Sequence, residues 1–94
     1  MYAAIRRYEG VSNPVEDARR VREEFVPQLK DMPGFVAYYE IDAGNGLMAT
    51  ISVFEDQAGE EASTERAAEW VREALASIAP DPPEVTAGEV VASA

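Results

Sequence analysis

Hydrophobic positions recur every second residue in four segments of the chain, and every third or fourth residue in two others. Alternation is typical of a strand with two different faces, and a spacing of three to four is typical of a helix with one buried stripe. The pattern predicts strands over residues 2–9, 35–42, 47–54 and 84–92, with helices over 14–31 and 57–79.

Turn and capping residues agree with these bounds. Asn13 can cap the first helix, and Pro14 suits the first helical position because the missing N–H has no partner there anyway. Asn45 and Gly46 favour a type I′ turn between the two central strands, since both residues adopt positive φ easily. Pro27 lies within the first helix, where it removes a hydrogen-bond donor, so we expect a kink or fraying there.

The order strand, helix, strand, strand, helix, strand is the ferredoxin-like βαββαβ arrangement. It predicts an α+β fold with a four-stranded antiparallel sheet, because right-handed crossovers place both helices on one face of the sheet. No linker or repeat divides the chain, so residues 1–94 are expected to form a single domain. The other face of the sheet has no cover from within the chain.

Strand parity suggests which face the helices cover. One face is aliphatic, with Ile5, Ile41 and Ile51 among its members, and we expect it to be the core. The opposite face mixes aromatic, sulfur-containing and basic side chains, a composition typical of an interface. We therefore expect a homodimer, a dimeric α+β barrel, in which two sheets pack through this mixed face. Its interface candidates are Tyr2, Arg6, Tyr8, Tyr38, Met48 and Phe54.

Composition excludes several kinds of chemistry. The chain has Cys 0 and His 0, so it has no thiolate nucleophile, cysteine zinc site, iron–sulfur cluster or histidine triad. No metal site is expected: Glu40 and Asp42 share a strand face, but solvation is the simpler interpretation of this pair. A net charge of -10 disfavours a nucleic-acid partner. No apolar run is long enough for a membrane span or signal peptide, and we expect a cytoplasmic protein without a membrane partner.

Three sequence features carry a resemblance to a known family. The motif "MPGF" precedes the second strand, "SVFED" closes the third, and the following helix contains a Trp. Together with the order of elements, they resemble the antibiotic biosynthesis monooxygenase-like proteins of the dimeric α+β barrel superfamily. The resemblance implies a ligand cavity between helices and sheet within each subunit. Members include cofactor-independent monooxygenases acting on aromatic polyketides, haem-degrading oxygenases and proteins without an assigned activity.

The haem-degrading members are a poor match for this chain. The resemblance would require an Asn in the first strand, where this chain has Arg6 and Arg7, and a ligating His, which it lacks. Trp70 also lies about two turns later in the second helix than the Trp of that group. We therefore expect no haem and no other cofactor.

Five residues are candidates for a ligand pocket: Trp70, Arg7, Tyr39, Phe25 and Glu89. Each also has a purely structural interpretation. Trp70 and Phe25 can simply fill the core, and Tyr39 can pack with its hydroxyl at the sheet edge. Parity places Arg7 and Glu89 on the same face, where they can form a buried ion pair, or Arg7 can bind an anionic substrate.

Two functions remain open. The first is a cofactor-independent monooxygenase acting on a small aromatic or quinone-forming compound, which Trp70, Tyr39 and Arg7 would position. The absence of histidine leaves this enzyme without an obvious general base. The alternative is a non-catalytic homodimeric module that binds a small ligand or acts through its surface.

Overall fold

The computed structural model describes residues 1–94 and contains one four-stranded antiparallel sheet in the order β2-β3-β1-β4. The predicted ferredoxin-like α+β fold is confirmed, with all helices on one face of the sheet. The strands are β1 (Tyr2–Tyr8), β2 (Phe35–Gly44), β3 (Leu47–Phe54) and β4 (Glu84–Glu89). The helices are α1 (Pro14–Arg20), α2 (Val26–Lys30) and α3 (Gln57–Ala74), with a π-helical turn (Val21–Phe25) that joins α1 to α2.

The π-helical turn lies just before Pro27. Because Pro27 has no N–H, the regular i to i−4 pattern is interrupted there. The N–H of Val26 donates to the carbonyl of Val21, five residues earlier, as in a π-helix. The expected kink or fraying is thus replaced by one wide turn inside a continuous helical segment.

This wide turn explains which side chains the first helical segment buries. Asp17, Val21, Phe25 and Leu29 are all buried and follow one another at intervals of four. In a regular α-helix each such step would rotate the side chain by about 40° away from the previous one. The π-helical turn absorbs part of this rotation, so that all four residues face the sheet.

The two faces of the sheet are opposite to the sequence prediction. In β3 the even positions Met48, Thr50, Ser52 and Phe54 are buried beneath the helices, and in β1 the buried residues are Ala4, Arg6 and Tyr8. The aliphatic face is the uncovered one: Ile5 is 47% exposed, Ile41 46% and Tyr39 62%. The prediction failed because the helices themselves bury polar side chains, among them Asp17, Glu60 and Ser63, and these match the mixed face.

The residues expected at a dimer interface therefore lie elsewhere. Arg6, Tyr8, Met48 and Phe54 are in the core, and Tyr38 packs against it. Tyr2 is half-buried on the same side as Ala4. None of these six side chains is on the uncovered face, which still leaves the sheet without a cover from its own chain.

The register of β4 also differs from the parity prediction. Val85 pairs with Arg6, and Glu89 pairs with Tyr2 at the far end of β1. Arg7 lies opposite Glu84 instead, and its guanidinium is 3.3 Å from the carboxylate of Glu9. The expected pair of Arg7 with Glu89 is wrong, because a one-residue difference in register exchanges the two faces of a strand.

Turns and element ends follow the local sequence signals more closely. Asn45 (φ 54°) and Gly46 (φ 78°) both have positive φ between β2 and β3, as predicted. α3 stops at Ala74, so Leu75 and Ile78 enter the core from turns rather than from the predicted helix. None of the helices combines the length and apolar character that crossing a membrane requires.

Candidate functional site

A buried arginine lies between the sheet and α3. Both the Arg6 and Glu60 side chains are 3% exposed, and the guanidinium Nη2 is 3.6 Å from the Glu60 carboxylate. Arg6 also donates to Ser52 Oγ (3.2 Å) and to Thr64 Oγ1 (2.6 Å), while Thr64 donates in turn to Glu60. Both terminal nitrogens of the guanidinium are therefore held in place, and the Nε–H has no partner.

Two carboxyl groups lie close together between α1 and β2. Asp17 on α1 is 4% exposed, and its Oδ1 accepts no hydrogen bond from any N–H or hydroxyl. Burial, and then the interaction with Asp17, raises the pKa of Glu40 on β2 to about 9. Burial also raises the pKa of Asp17. At neutral pH Glu40 therefore holds a proton, which it donates toward Asp17. We refer to Asp17 and Glu40 as the acid pair.

Aromatic side chains enclose the acid pair. Phe25 stacks on Trp70 with ring centroids 5.1 Å apart and meets Tyr38 edge-on at 5.9 Å. Burial raises the pKa values of both Tyr8 and Tyr38, so both hydroxyls are protonated donors. The enclosed space between these groups measures about 20 Å³. It is large enough for one water molecule and far too small for an aromatic ligand.

A much larger cleft opens beside this enclosed space. It measures about 590 Å³ and lies between α3, the loop at residues 80–83 and the edge strand β4. Its walls are mostly small or apolar, including Ala68 and Val71, and carry Thr64 and the oppositely charged Arg72 and Asp81. The volume falls within the range of small-molecule sites in proteins.

Arg6 and Tyr8 connect the two regions. Both residues line the 590 Å³ cleft and also the enclosed space that contains the acid pair. They are neighbours on the same face of β1, two residues apart, which follows from strand alternation. A ligand in the cleft would thus contact the Arg6 guanidinium, which is paired with Glu60, and the Tyr8 phenol, which also lines the space around the acid pair.

The sequence-predicted pocket residues are only partly brought together. Trp70 and Phe25 both line the enclosed space and stack on each other. Tyr39 and Arg7 project from the uncovered face of the sheet, on the side away from the helices. Glu89 is exposed at the end of β4, where its carboxylate is 3.5 Å from the N-terminal amine of Met1. Tyr39, Arg7 and Glu89 therefore cannot form one pocket with Trp70.

Solved structures with the same architecture are known. A protein of unknown function from Nitrosomonas europaea superposes with a TM-score of 0.79, with 19% identity over 99% of this chain and 91% of that one. A monooxygenase from Streptomyces coelicolor in complex with the ligand nanaomycin D has a TM-score of 0.71 and 19% identity, over 98% and 92% of the two chains. SnoaB, a cofactor-independent oxygenase from Streptomyces nogalater, has a TM-score of 0.74 and 14% identity, over 98% and 94%.

This chain has the fold of the antibiotic biosynthesis monooxygenases. The fold is shared at low sequence identity, and no protein-family model or curated protein matches the sequence. The antibiotic biosynthesis monooxygenase fold therefore fixes the arrangement of sheet and helices, and the site must be interpreted from this chain's own residues.

Within the antibiotic biosynthesis monooxygenase fold, sequence reasoning missed the buried acids Asp17 and Glu60, and it expected the partly buried Glu40 to be solvated beside Asp42. Both buried acids had a detectable signal, because Asp17 lies four residues before Val21 and Glu60 lies seven before Ala67, on buried stripes. A charged residue at a stripe position needs a buried partner, which suggests a polar cluster. No three acidic or other metal-binding side chains are grouped as they would be around a metal ion.

Proposed function

We propose that this protein is a cofactor-independent monooxygenase that binds a small aromatic, quinone-forming compound in the 590 Å³ cleft. The observation that carries the proposal is that Arg6 and Tyr8 line both this cleft and the enclosed space with the acid pair. Hydrogen-bond donors fixed at the wall of an apolar cleft suit an enolate or phenolate oxygen, where they stabilise developing negative charge.

The proposed reaction needs only substrate and dioxygen. An activated ring C–H bond loses its proton, and the electron pair left on carbon reduces dioxygen to form a hydroperoxide at that carbon. Loss of water from the hydroperoxide gives a carbonyl, so that an anthrone and dioxygen yield a quinone and water. The protein's part is to hold the aromatic ring, accept the proton and stabilise the anion.

Oxygen uptake with a panel of anthrones and hydroxynaphthalenes tests the proposal. We expect dioxygen consumption to match the amount of a product that has gained one oxygen atom and lost two hydrogens. Ala68→Trp fills the cleft and should abolish uptake, whereas Ala62→Trp, an exposed position of the same helix outside the cleft, should leave it unchanged. Binding without oxygen uptake would instead support the non-catalytic ligand-binding module.

We also propose that two copies pack through the uncovered face of the sheet. Ile5, Tyr39 and Ile41 are all more than two-fifths exposed, with Tyr39 at 62%, and they lie in one layer with Ile51 and Val53. A contiguous apolar face of this kind is typical of an interface between subunits. The proposed homodimer uses the aliphatic face, opposite to the one that strand parity suggested.

A further inference from the structure

We propose that the acid pair, Asp17 and Glu40, is the proton acceptor for ligands in the cleft, and that the cleft selects a neutral hydroxylated aromatic compound rather than a carboxylate. This inference rests on the proposed function and deepens it. It assigns an acceptor for the hydroxyl proton of the ligand. In the enol form of an anthrone, loss of this proton gives the same anion as loss of the ring C–H proton.

Geometry supports this role of the acid pair. Asp17 is almost fully buried, lines the enclosed space and has an oxygen that accepts no hydrogen bond from an N–H or hydroxyl donor. Tyr8 lines the same space and also the cleft, and the charges of Asp17 and Glu40 both act on its hydroxyl. Tyr8 makes no direct hydrogen bond to Asp17, but the space that both residues line is large enough for one water molecule. A phenol accepts one hydrogen bond while donating another, so Tyr8 and such a water can connect a ligand to the acid pair.

The transfer balances without any further reactant. The O–H bond of the ligand breaks, its electron pair stays on the ligand oxygen, and the proton bonds to the oxygen of Tyr8. The proton of Tyr8 moves at the same time to the water, and a proton of the water moves to the free carboxyl oxygen of Asp17. Tyr8 and the water are left unchanged, the pair holds two protons, and the ligand becomes a phenolate or enolate.

The buried charges explain the preference for a neutral ligand. Arg6 is already paired with Glu60, and the residues that line the space around the acid pair include no second cation. A ligand that arrives as an anion would add a negative charge to this region. A neutral phenol that transfers its proton keeps the total buried charge constant.

Other charged groups around the acid pair do not replace it. β1 contributes Arg6 and Tyr8, and β2 contributes Tyr38 and the exposed Asp42. The residues of α3 that line the enclosed space are Ala67, Trp70 and Val71, none of which titrates. Asp17 is therefore the one acid here that is almost fully buried and has a carboxyl oxygen without an N–H or hydroxyl partner, so it is positioned to accept a proton.

A phenolate probe provides the test, because its complex reproduces the state after transfer. We would titrate the whole protein with 2,4-dinitrophenolate between pH 6 and 8, using calorimetry in two buffers of different ionisation enthalpy. Binding should take up about one proton per ligand, so the affinity should rise about tenfold for each pH unit of acidification. Asp17→Asn should remove both the proton uptake and the pH dependence, and Glu24→Gln, exposed on the same helical segment, should change neither.

Neutral 2,4-dinitroanisole separates this proposal from the proposed function. Its binding to both the parent protein and Asp17→Asn would show that the cleft and the fold are intact. Its loss in Ala68→Trp would show that it binds in the cleft. If dinitroanisole binds but phenolate binding is independent of pH, or keeps its pH dependence in Asp17→Asn, the acid pair is not the acceptor. If neither probe binds, the cleft is not a site for aromatic ligands and both proposals are wrong.

Discussion

The acid pair makes the stability of this protein depend on pH in an unusual direction. The folded state holds a proton on Glu40 up to about pH 9, whereas the unfolded chain releases it near the ordinary glutamate value of 4.5. Between these values the folded state binds more protons than the unfolded state. Stability should therefore fall as the pH rises from about 5 to 9, and Glu40→Gln should remove this fall.

The size of the effect follows from linkage. One proton held only in the folded state changes the free energy of unfolding by about 1.4 kcal/mol per pH unit, or roughly 2.7 kcal/mol between pH 6 and 8. Glu40 is only partly buried, and solvent screening reduces its interactions. We therefore expect the protein to lose about 1 to 2 kcal/mol of stability over this interval.

Urea unfolding at pH 6, 7 and 8 measures this loss. The single Trp, Trp70, is buried against Phe25, so its fluorescence should report the loss of tertiary structure. Protein concentration must be fixed, because a dimer makes the midpoint depend on concentration. Glu24→Gln is the control, since it removes one acidic charge from the surface and leaves the acid pair intact.

The two variants decide the outcome. In Glu24→Gln the free energy of unfolding should fall with pH as in the parent protein, whereas in Glu40→Gln it should be nearly constant. Equal slopes in the parent protein and Glu40→Gln would refute the proton held on Glu40. A stability that rises from pH 6 to 8 would show that Glu40 is ionised in the folded protein.

Three further changes test other parts of the structure. Ile51→Glu places a charge in the centre of the uncovered face and should give a monomer by native mass spectrometry, and a parent protein that is already monomeric would contradict the proposed interface. Arg6→Met leaves Glu60 as an unpaired buried charge and should cost about 3 to 5 kcal/mol in urea unfolding, and adding Glu60→Gln should recover most of this loss. Gly46→Ala brings a Cβ to 3.1 Å from the carbonyl oxygen of Val11. It should lower the melting temperature more than Gly44→Ala, which also has a positive φ but open space around it. Equal decreases would show that only the positive φ matters.

Periodicity and turn chemistry were sufficient for the element order and topology. The positive φ at Asn45 and Gly46 and the Asn13 cap depend on neighbouring residues alone, and both are present as predicted. The ends of α3 and β4 were placed several residues too late. Residues such as Leu75 and Ile78 continue the hydrophobic spacing of the helix although the backbone has already left it.

The choice of the buried face could not be read from hydrophobicity alone. Both the aliphatic face and the mixed face of the sheet need a covering layer, either the helices or a second subunit. The side chains of the helices determine which face the helices cover. Asp17 and Glu60 on the helices require polar partners, and in the structure the face with Arg6 and Glu40 supplies them. The opposite face also carries an arginine, Arg7, so the strand sequence alone could not decide between the two faces.

The π-helical turn also has a meaning for sequence alignments. Such a turn corresponds to one residue added to a regular helix, and its removal would rotate the preceding segment by about 100°. Asp17 lies on the preceding side and would turn away from Glu40, even with both acids retained in the sequence. Among proteins of this fold, the number of residues between the Asn13 cap and Leu29 is therefore a better marker of the acid pair than the presence of the two carboxylates.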